Sequence, residues 1–199
     1  MTAADLVPLG TATLAEAWPG ARVLAAPPAP IASGMALAGP AVTLRARPGD
    51  NLALHLAIAS APAGSVLVAD YGGATDSGPF GEIMALACRM RGIAGLVIDG
   101  AVRDSAQIAA LGFPVFARGL DIRGTTKTDR GLHGTPVTLG GVTIAPGDIV
   151  LADADAIVVI PAADLPAALA AARGRAAREA AMMDRLRKGE TTLDILGLR

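Results

Sequence analysis

Aromatic residues make up only 3% of the 199-residue chain. Its core must therefore be built from Ala, Val, Leu and Ile, small residues that let elements pack closely. A single cysteine, Cys88, excludes an intrachain disulfide and a Cys-rich metal site, and fits a reducing cytoplasm. It lies mid-helix among Met84 and Ala87 and reads as a small core residue. Only His55 and His133 are present; they form neither a His-x-x-x-His zinc pair nor a triad with any nearby serine. His55, alone on a helical pattern, reads as structural. Only two lysines occur, Lys127 in the polar loop "GTTKTDRG" and Lys188 at a helix end. Neither sits in an expected apolar pocket, so Schiff-base chemistry is not expected. The net charge of −1 offers no basic face, which disfavours nucleic acid as a partner. The longest uncharged run, between Arg22 and Arg45, is broken by Pro27, Pro28, Pro30 and Pro40 and cannot hold a membrane-spanning helix. No basic segment precedes an apolar one near the N-terminus, so a signal peptide is not expected.

What is present is a regular alternation of apolar runs and turn residues. "TATLAEAWPG" (11–20) predicts a short helix, and the Pro-rich stretch 27–40 a covering loop. "PAVTLRA" (40–46) is a strand, "PGDN" (48–51) a turn, and "NLALHLAIASA" (51–61) a helix. Strand, helix, strand, helix and strand follow at 64–73, 82–92, 94–100, 105–112 and 113–119. "TPVTLGGVTIAPGD" (135–148) reads as a hairpin turning at Gly140-Gly141, and 148–161 as two further strands. Residues 162–188 form one long Ala- and Arg-rich helix, stopped by Gly189. The order predicts an α/β domain with a mixed central sheet flanked by helices over residues 1–161, with 162–199 as a C-terminal helix and tail. Twenty-seven helical residues would span roughly 40 Å, enough to reach a neighbouring subunit.

Ligands of α/β sheets bind at strand ends, and two ends stand out. "ADYGGATDSGPFGE" (69–82) runs into a helix whose first N–H groups, at Gly81, Glu82, Ile83 and Met84, would be open to an anion. A Gly-rich turn that merely starts a helix would look the same. It carries no Gly-Lys-Ser/Thr and no Gly-x-Gly-x-x-Gly. The other end is "IDGAVRDSA" (98–106), where an apolar strand meets Asp99, Arg103 and Asp104. Arg103 can pair bidentately with a carboxylate, and Asp104 can bind a hard cation such as Mg²⁺. The bland alternative is that Asp104 caps the helix starting at Ser105, with Arg103 paired to it. Asp153 and Asp155 read as turn residues.

The stretch "GPFGEIMALACRMRGIAGLVIDGAVRDSAQIAALGFPVFARG" resembles the family of the ribonuclease E activity regulator RraA, which includes the 4-hydroxy-4-methyl-2-oxoglutarate / 4-carboxy-4-hydroxy-2-oxoadipate aldolases. "TATLAEA", "GPAVTL", "PGDN", "GGVTIAPGDIVLADADAIVVIP" and "REAAMMDRLRKGETTLDILGL" extend the likeness along nearly the whole chain. The resemblance implies an RraA-like α/β fold assembled as a homotrimer or hexamer, in the cytoplasm. It also implies a class II pyruvate aldolase dependent on Mg²⁺ or Mn²⁺, with oxaloacetate decarboxylase side activity. In it Asp104 is the metal ligand, and Arg103 holds the pyruvate-like part. The N–H groups of Gly81 to Met84 hold the 2-oxo acid's carboxylate, with Glu82 a further candidate. Glu179 reaches a neighbouring subunit's metal waters, and Glu16 is an acidic residue near the site. The competing reading is a non-catalytic, protein-binding regulator of ribonuclease E, which could dispense with these acids. A C4 carboxylate on the substrate would want another cation, for which Arg123 and Lys127 are available.

Overall fold

The computed structural model describes residues 2–199. After a 3₁₀ turn at Ala3–Leu9 come α1 (Thr11–Ala17), β1 (Arg22–Val23), β2 (Ala29–Pro30), β3 (Leu37–Arg45), α2 (Leu52–Ser60), β4 (Val66–Ala74), α3 (Glu82–Met90), β5 (Gly95–Val102), α4 (Ser105–Ala110) and β6 (Val115–Leu120). Then follow β7 (Leu132–His133), β8 (Val137–Leu139), β9 (Val142–Ile144), β10 (Ile149–Ala152), β11 (Ile157–Ile160), α5 (Leu165–Arg187) and α6 (Thr192–Leu196).

Strands β3, β4, β5 and β6 lie side by side in chain order and parallel. Their connections are α2, α3 and α4, the crossover helices that parallel neighbours require. Val66 to Ala69 and Leu96 to Ile98 are buried without alternation, as expected of parallel strands covered on both faces. On one side the sheet continues antiparallel from β3 through β10 and β11 to β1; on the other, β2 pairs with β6. In β10 and β11 the pattern changes to strict alternation. Val150, Ala152, Ile157 and Val159 face the main core, while Ile149, Leu151, Val158 and Ile160 face a second one. That second core is closed by Leu6, Leu14, Ala168, Leu169 and Ala172. The few rings are used centrally, with Phe80 and Phe113 stacked 6.0 Å apart. The β8–β9 hairpin turns at Gly140 and Gly141, both at positive φ (53° and 76°), as a tight two-residue hairpin demands.

Three expectations change. Residues 27–40 are more than a covering loop, since β2 and the start of β3 lie within them. The strands β1, β2 and β7, two residues each, are too short to show a period. The helix after residue 161 is not wholly an appendage. Ala168, Leu169 and Ala172 belong to the second core, and beyond Ala172 no residue of α5 is buried. At 23 residues α5 is roughly 34 Å long, so its second half is an exposed arm. No helix among the described residues is long and apolar enough to cross a membrane.

Candidate functional site: four strand-end loops around one cleft

The loops after the four parallel strands converge at the C-terminal edge of the sheet. They line one cleft with Asn51 and His55 (after β3), Gly81, Ile83 and Met84 (after β4), Arg103 and Asp104 (after β5) and Lys127 (after β6). Such an edge gathers side chains from distant parts of the chain because parallel strands all end there.

Asp104 has φ +57°, a left-handed conformation rare outside glycine. It precedes α4 but makes no side-chain cap to it. Its Oδ2 instead accepts the N–H of Glu82 at the start of α3, at 3.1 Å. The capping expectation is thus corrected: Asp104 caps a neighbouring helix and stays in the cleft. Arg103 Nε lies 3.7 Å from Asp104 Oδ2, and both side chains remain more than a third exposed, open to a ligand. The Arg103 N–H donates to Phe80 O, which ties the two loops together (2.9 Å). Gly81 is needed at this seam, because a Cβ there would sit 2.4 Å from Asp104 Oδ2 and 3.0 Å from Arg103. Of the four N–H groups expected to be open, Glu82's is taken by Asp104 and Met84's by Gly81 O. The donors left for an anion are those of Gly81 and Ile83.

Asp99, the other carboxylate of the 98–106 stretch, is not part of this site. It is nearly buried and paired to Arg118 on β6 at 2.5 Å. Glu16 and Glu179 do not line the cleft either. Both are salt-bridged to Arg175, Glu179 at 2.7 Å, so α1 and α5 present a pair of carboxylates as one unit. Glu82 contributes its N–H, with its side chain exposed. Arg123 is forked onto Asp121 (2.6–3.1 Å) and is not a cleft residue.

Of the remaining cleft residues, Asn51 is not singled out by the sequence, His55 reads there as structural, and Lys127 is offered only as a cation without a place. Asn51 is 5% exposed; its Nδ2 donates to Pro79 O at 3.0 Å, and its Oδ1 has no partner among the described residues. A buried acceptor left open in this way is normally satisfied by water or a ligand. His55, one helical turn further on, is a cleft residue rather than a structural one. Burial first, then the Lys127 charge, hold its pKa below the ordinary histidine value, so the ring favours the neutral form. Lys127 stands at the cleft with its side chain exposed.

Beneath them lies Asp50, 1% exposed. Burial raises its pKa, but hydrogen bonds from Thr126, Leu52 and Thr128 outweigh this and hold the carboxyl well below the usual range. A depressed folded-state pKa gives stability that is complete above the unfolded-state value of 3.8 and fades as pH falls below it. Asp50→Asn is therefore expected to be less stable than the parent by about 2–3 kcal/mol at pH 7, from donors left unpaired. In urea melts the gap should hold down to about pH 4 and narrow below it.

An α/β sheet whose parallel strand ends gather an arginine, an accessible carboxylate, a lysine and a helix N-terminus makes a cleft of a chemistry suited to a small anionic molecule. Residues 11–159 match the RraA-like family, Aldolase/RraA, and the chain belongs to it. It is 38% identical over 151 residues to a Halalkalibacterium halodurans protein provisionally named 4-hydroxy-4-methyl-2-oxoglutarate aldolase, covering 76% of this chain and 72% of that one. Among solved structures it resembles one from Geobacillus kaustophilus described as an S-adenosylmethionine: 2-dimethylmenaquinone methyltransferase (TM-score 0.73, 32% identity, 76% of this chain and 94% of that one). It also resembles the RNA-processing inhibitor RraA from Thermus thermophilus (TM-score 0.72, 28% identity, 76% and 92%). Three activities named on one fold leave function to the site.

Proposed function

We propose that the cleft is the active site of a metal-dependent carbon–carbon lyase. It would cleave a 4-hydroxy-2-oxo acid, 4-hydroxy-4-methyl-2-oxoglutarate or 4-carboxy-4-hydroxy-2-oxoadipate, to pyruvate plus pyruvate or oxaloacetate. The observation that carries this is Asp104 held at φ +57° beside Arg103, both accessible, at the N-terminus of α3. A regulator that only binds protein has no use for a strained, accessible carboxylate in a cleft.

The donor set suits a hard cation. Among the described residues no three His, Cys, Asp or Glu side chains cluster to cage a metal. One accessible carboxylate fits Mg²⁺ or Mn²⁺, which keep most of their water and take remaining ligands from the substrate. Asp104 would hold the ion, which when bound supplies Lewis acidity toward a 2-oxo acid. The chain's own groups do the rest. The N–H groups of Gly81 and Ile83 receive the C1 carboxylate. Arg103 meets the C2 oxygen, where negative charge develops as C3–C4 breaks, and is worth most in that transition state. As C3–C4 breaks the C4 hydroxyl becomes a carbonyl, and its proton would pass to a water held beside Arg103 or a second copy's Glu179. Lys127 faces the second carboxylate. The same charge at C2 develops when oxaloacetate loses CO₂, so decarboxylation is an expected side reaction.

Glu16 and Glu179 enter this reading through a second copy, as part of a homotrimer or hexamer. Their unit with Arg175 involves the exposed arm of α5. At and beside the cleft, Ile83, Leu120 and Ile122 are exposed apolar side chains that a second copy would cover.

The decisive experiment is pyruvate release from 4-hydroxy-4-methyl-2-oxoglutarate and from oxaloacetate, with Mg²⁺ and then with EDTA. EDTA-sensitive release from both is expected. A folded protein that releases none from either would move the reading to the ribonuclease E regulator. Because Lys127 lies at the cleft, a Schiff base needs its own test. Borohydride with pyruvate is expected to leave the mass of the chain unchanged, and a reduced adduct on Lys127 would overturn the metal reading.

A further inference from the structure

Residues 121–131 form an eleven-residue surface stretch with no helix or extended strand of its own. Lys127 nevertheless sits at a fixed place on the cleft, because the residues either side of it are bonded to the β3–α2 turn. The Thr126 N–H donates to Gly49 O (2.9 Å), and the Asn51 N–H donates to Thr126 O (3.0 Å). The Asp50 carboxylate does the remainder. Its Oδ2 accepts the Thr126 hydroxyl (2.6 Å), the Thr128 N–H (2.7 Å) and the Thr128 hydroxyl (2.9 Å). Its Oδ1 accepts the Leu52 N–H at the start of α2 (2.9 Å). Tyr71 fixes the same residue from below, its hydroxyl donating to Asp50 O (2.9 Å). Asp50 is not among the residues lining the cleft.

One buried carboxylate thus couples two cleft walls, α2 with Asn51 and His55 on one side, and the loop of Lys127 on the other. We infer that Asp50 is a positioning residue that holds Lys127 over the cleft and so sets its preference for 2-oxo acids bearing a second, distal carboxylate. A lysine on a free loop would lose side-chain and loop entropy on meeting an anion. With its backbone held from both flanks, Lys127 has only its side-chain freedom left to lose. Asparagine cannot replace the carboxylate. One oxygen can still serve Leu52, but the amide NH₂ would face the Thr128 N–H, donor against donor.

The inference rests on the cleft binding 2-oxo acids, so its test reads binding rather than turnover. Calorimetric titration with 2-oxoglutarate and with 2-oxopentanoate, in Mg²⁺, compares two ligands of equal chain length, one lacking the distal carboxylate. The parent protein is expected to prefer 2-oxoglutarate by about tenfold, the scale of one charge-assisted contact. Lys127→Met should bring 2-oxoglutarate down to the level of 2-oxopentanoate. Asp50→Asn should do the same, and the double variant should lose nothing more. Thr128→Val, which keeps the backbone bond, should lose part of the preference and serves in place of Asp50→Asn if that variant does not fold. A preference retained in Asp50→Asn, or absent from the parent, overturns the inference, as does equal weakening of both ligands, which would mark Asp50 as structural only. Binding of neither ligand by the parent overturns the proposed function itself, and the inference with it.

Discussion

Arg103→Met is expected to lower kcat for pyruvate release by about 10²–10³, with little change in thermal stability. Two magnitudes separate these effects. A preorganised donor at a developing oxyanion is worth about 2.7–4 kcal/mol in the transition state. In the folded protein without substrate, the guanidinium has only a 3.7 Å contact with Asp104, both partners partly exposed, and such pairs contribute at most about 1 kcal/mol. The backbone does not depend on the side chain, because the Arg103 N–H is held by Phe80 O and methionine keeps it. Arg103→Lys should recover only part of the activity, since an ammonium carries the charge but not the planar fork. Steady-state rates with thermal melts of the same preparations check this. Unimpaired kcat in Arg103→Met would remove the arginine from the reaction.

How much of this was legible in the sequence depends on which physical signal each residue carries. Val66 to Ala69 and Leu96 to Ile98 announce buried parallel strands because they lack alternation, and β10 and β11 announce two-faced strands because they keep it. Gly140-Gly141 announces a hairpin because few other pairs accept two positive φ values. Arg103 and Asp104 were legible as charges at the end of an apolar strand. Asp99 gave the same signal and is instead the partner of Arg118, a residue nineteen positions on that only the β5–β6 pairing brings beside it. Asn51 goes unmarked in the sequence, His55 reads as structural and Lys127 has no place there, for the converse reason. Each looks ordinary locally, and what unites them is that β3, β4, β5 and β6 are parallel and end at one edge. The "PGDN" turn did hold a clue, since it follows a strand and opens a helix just as 99–104 does. A polar residue in every such junction of a parallel set is a site candidate, whatever its type. The pairing of Glu16 with Glu179 was beyond any local signal, because Arg175 joins α1 to α5 across most of the chain's length.

Asp104 allows the second large effect to be tested against stability. Asp104→Ala and Asp104→Gly are both expected to abolish metal-stimulated turnover and to leave the chain folded, since the side chain's polar contacts among the described residues are Arg103 and the Glu82 N–H. The two variants should differ in stability. Each loses the bond to the start of α3, a cap worth about 1 kcal/mol. Alanine keeps a Cβ in the left-handed region, at a cost of about 1–2 kcal/mol, which glycine escapes. Glycine in turn adds about 0.4–1 kcal/mol of unfolded-chain entropy. The relief is the larger quantity, so the glycine variant should be the more stable by about 0.5–1 kcal/mol. It should also lie within about 1 kcal/mol of the parent while being inactive. Urea melts alongside Mg²⁺-stimulated pyruvate release make the comparison. An alanine variant as stable as the glycine one would mean that the φ of +57° carries no strain. The opposite result, an inactive protein as stable as its parent, would show that aspartate stands at this strand end for what its carboxylate does in the cleft, the fold itself being equally well served by glycine.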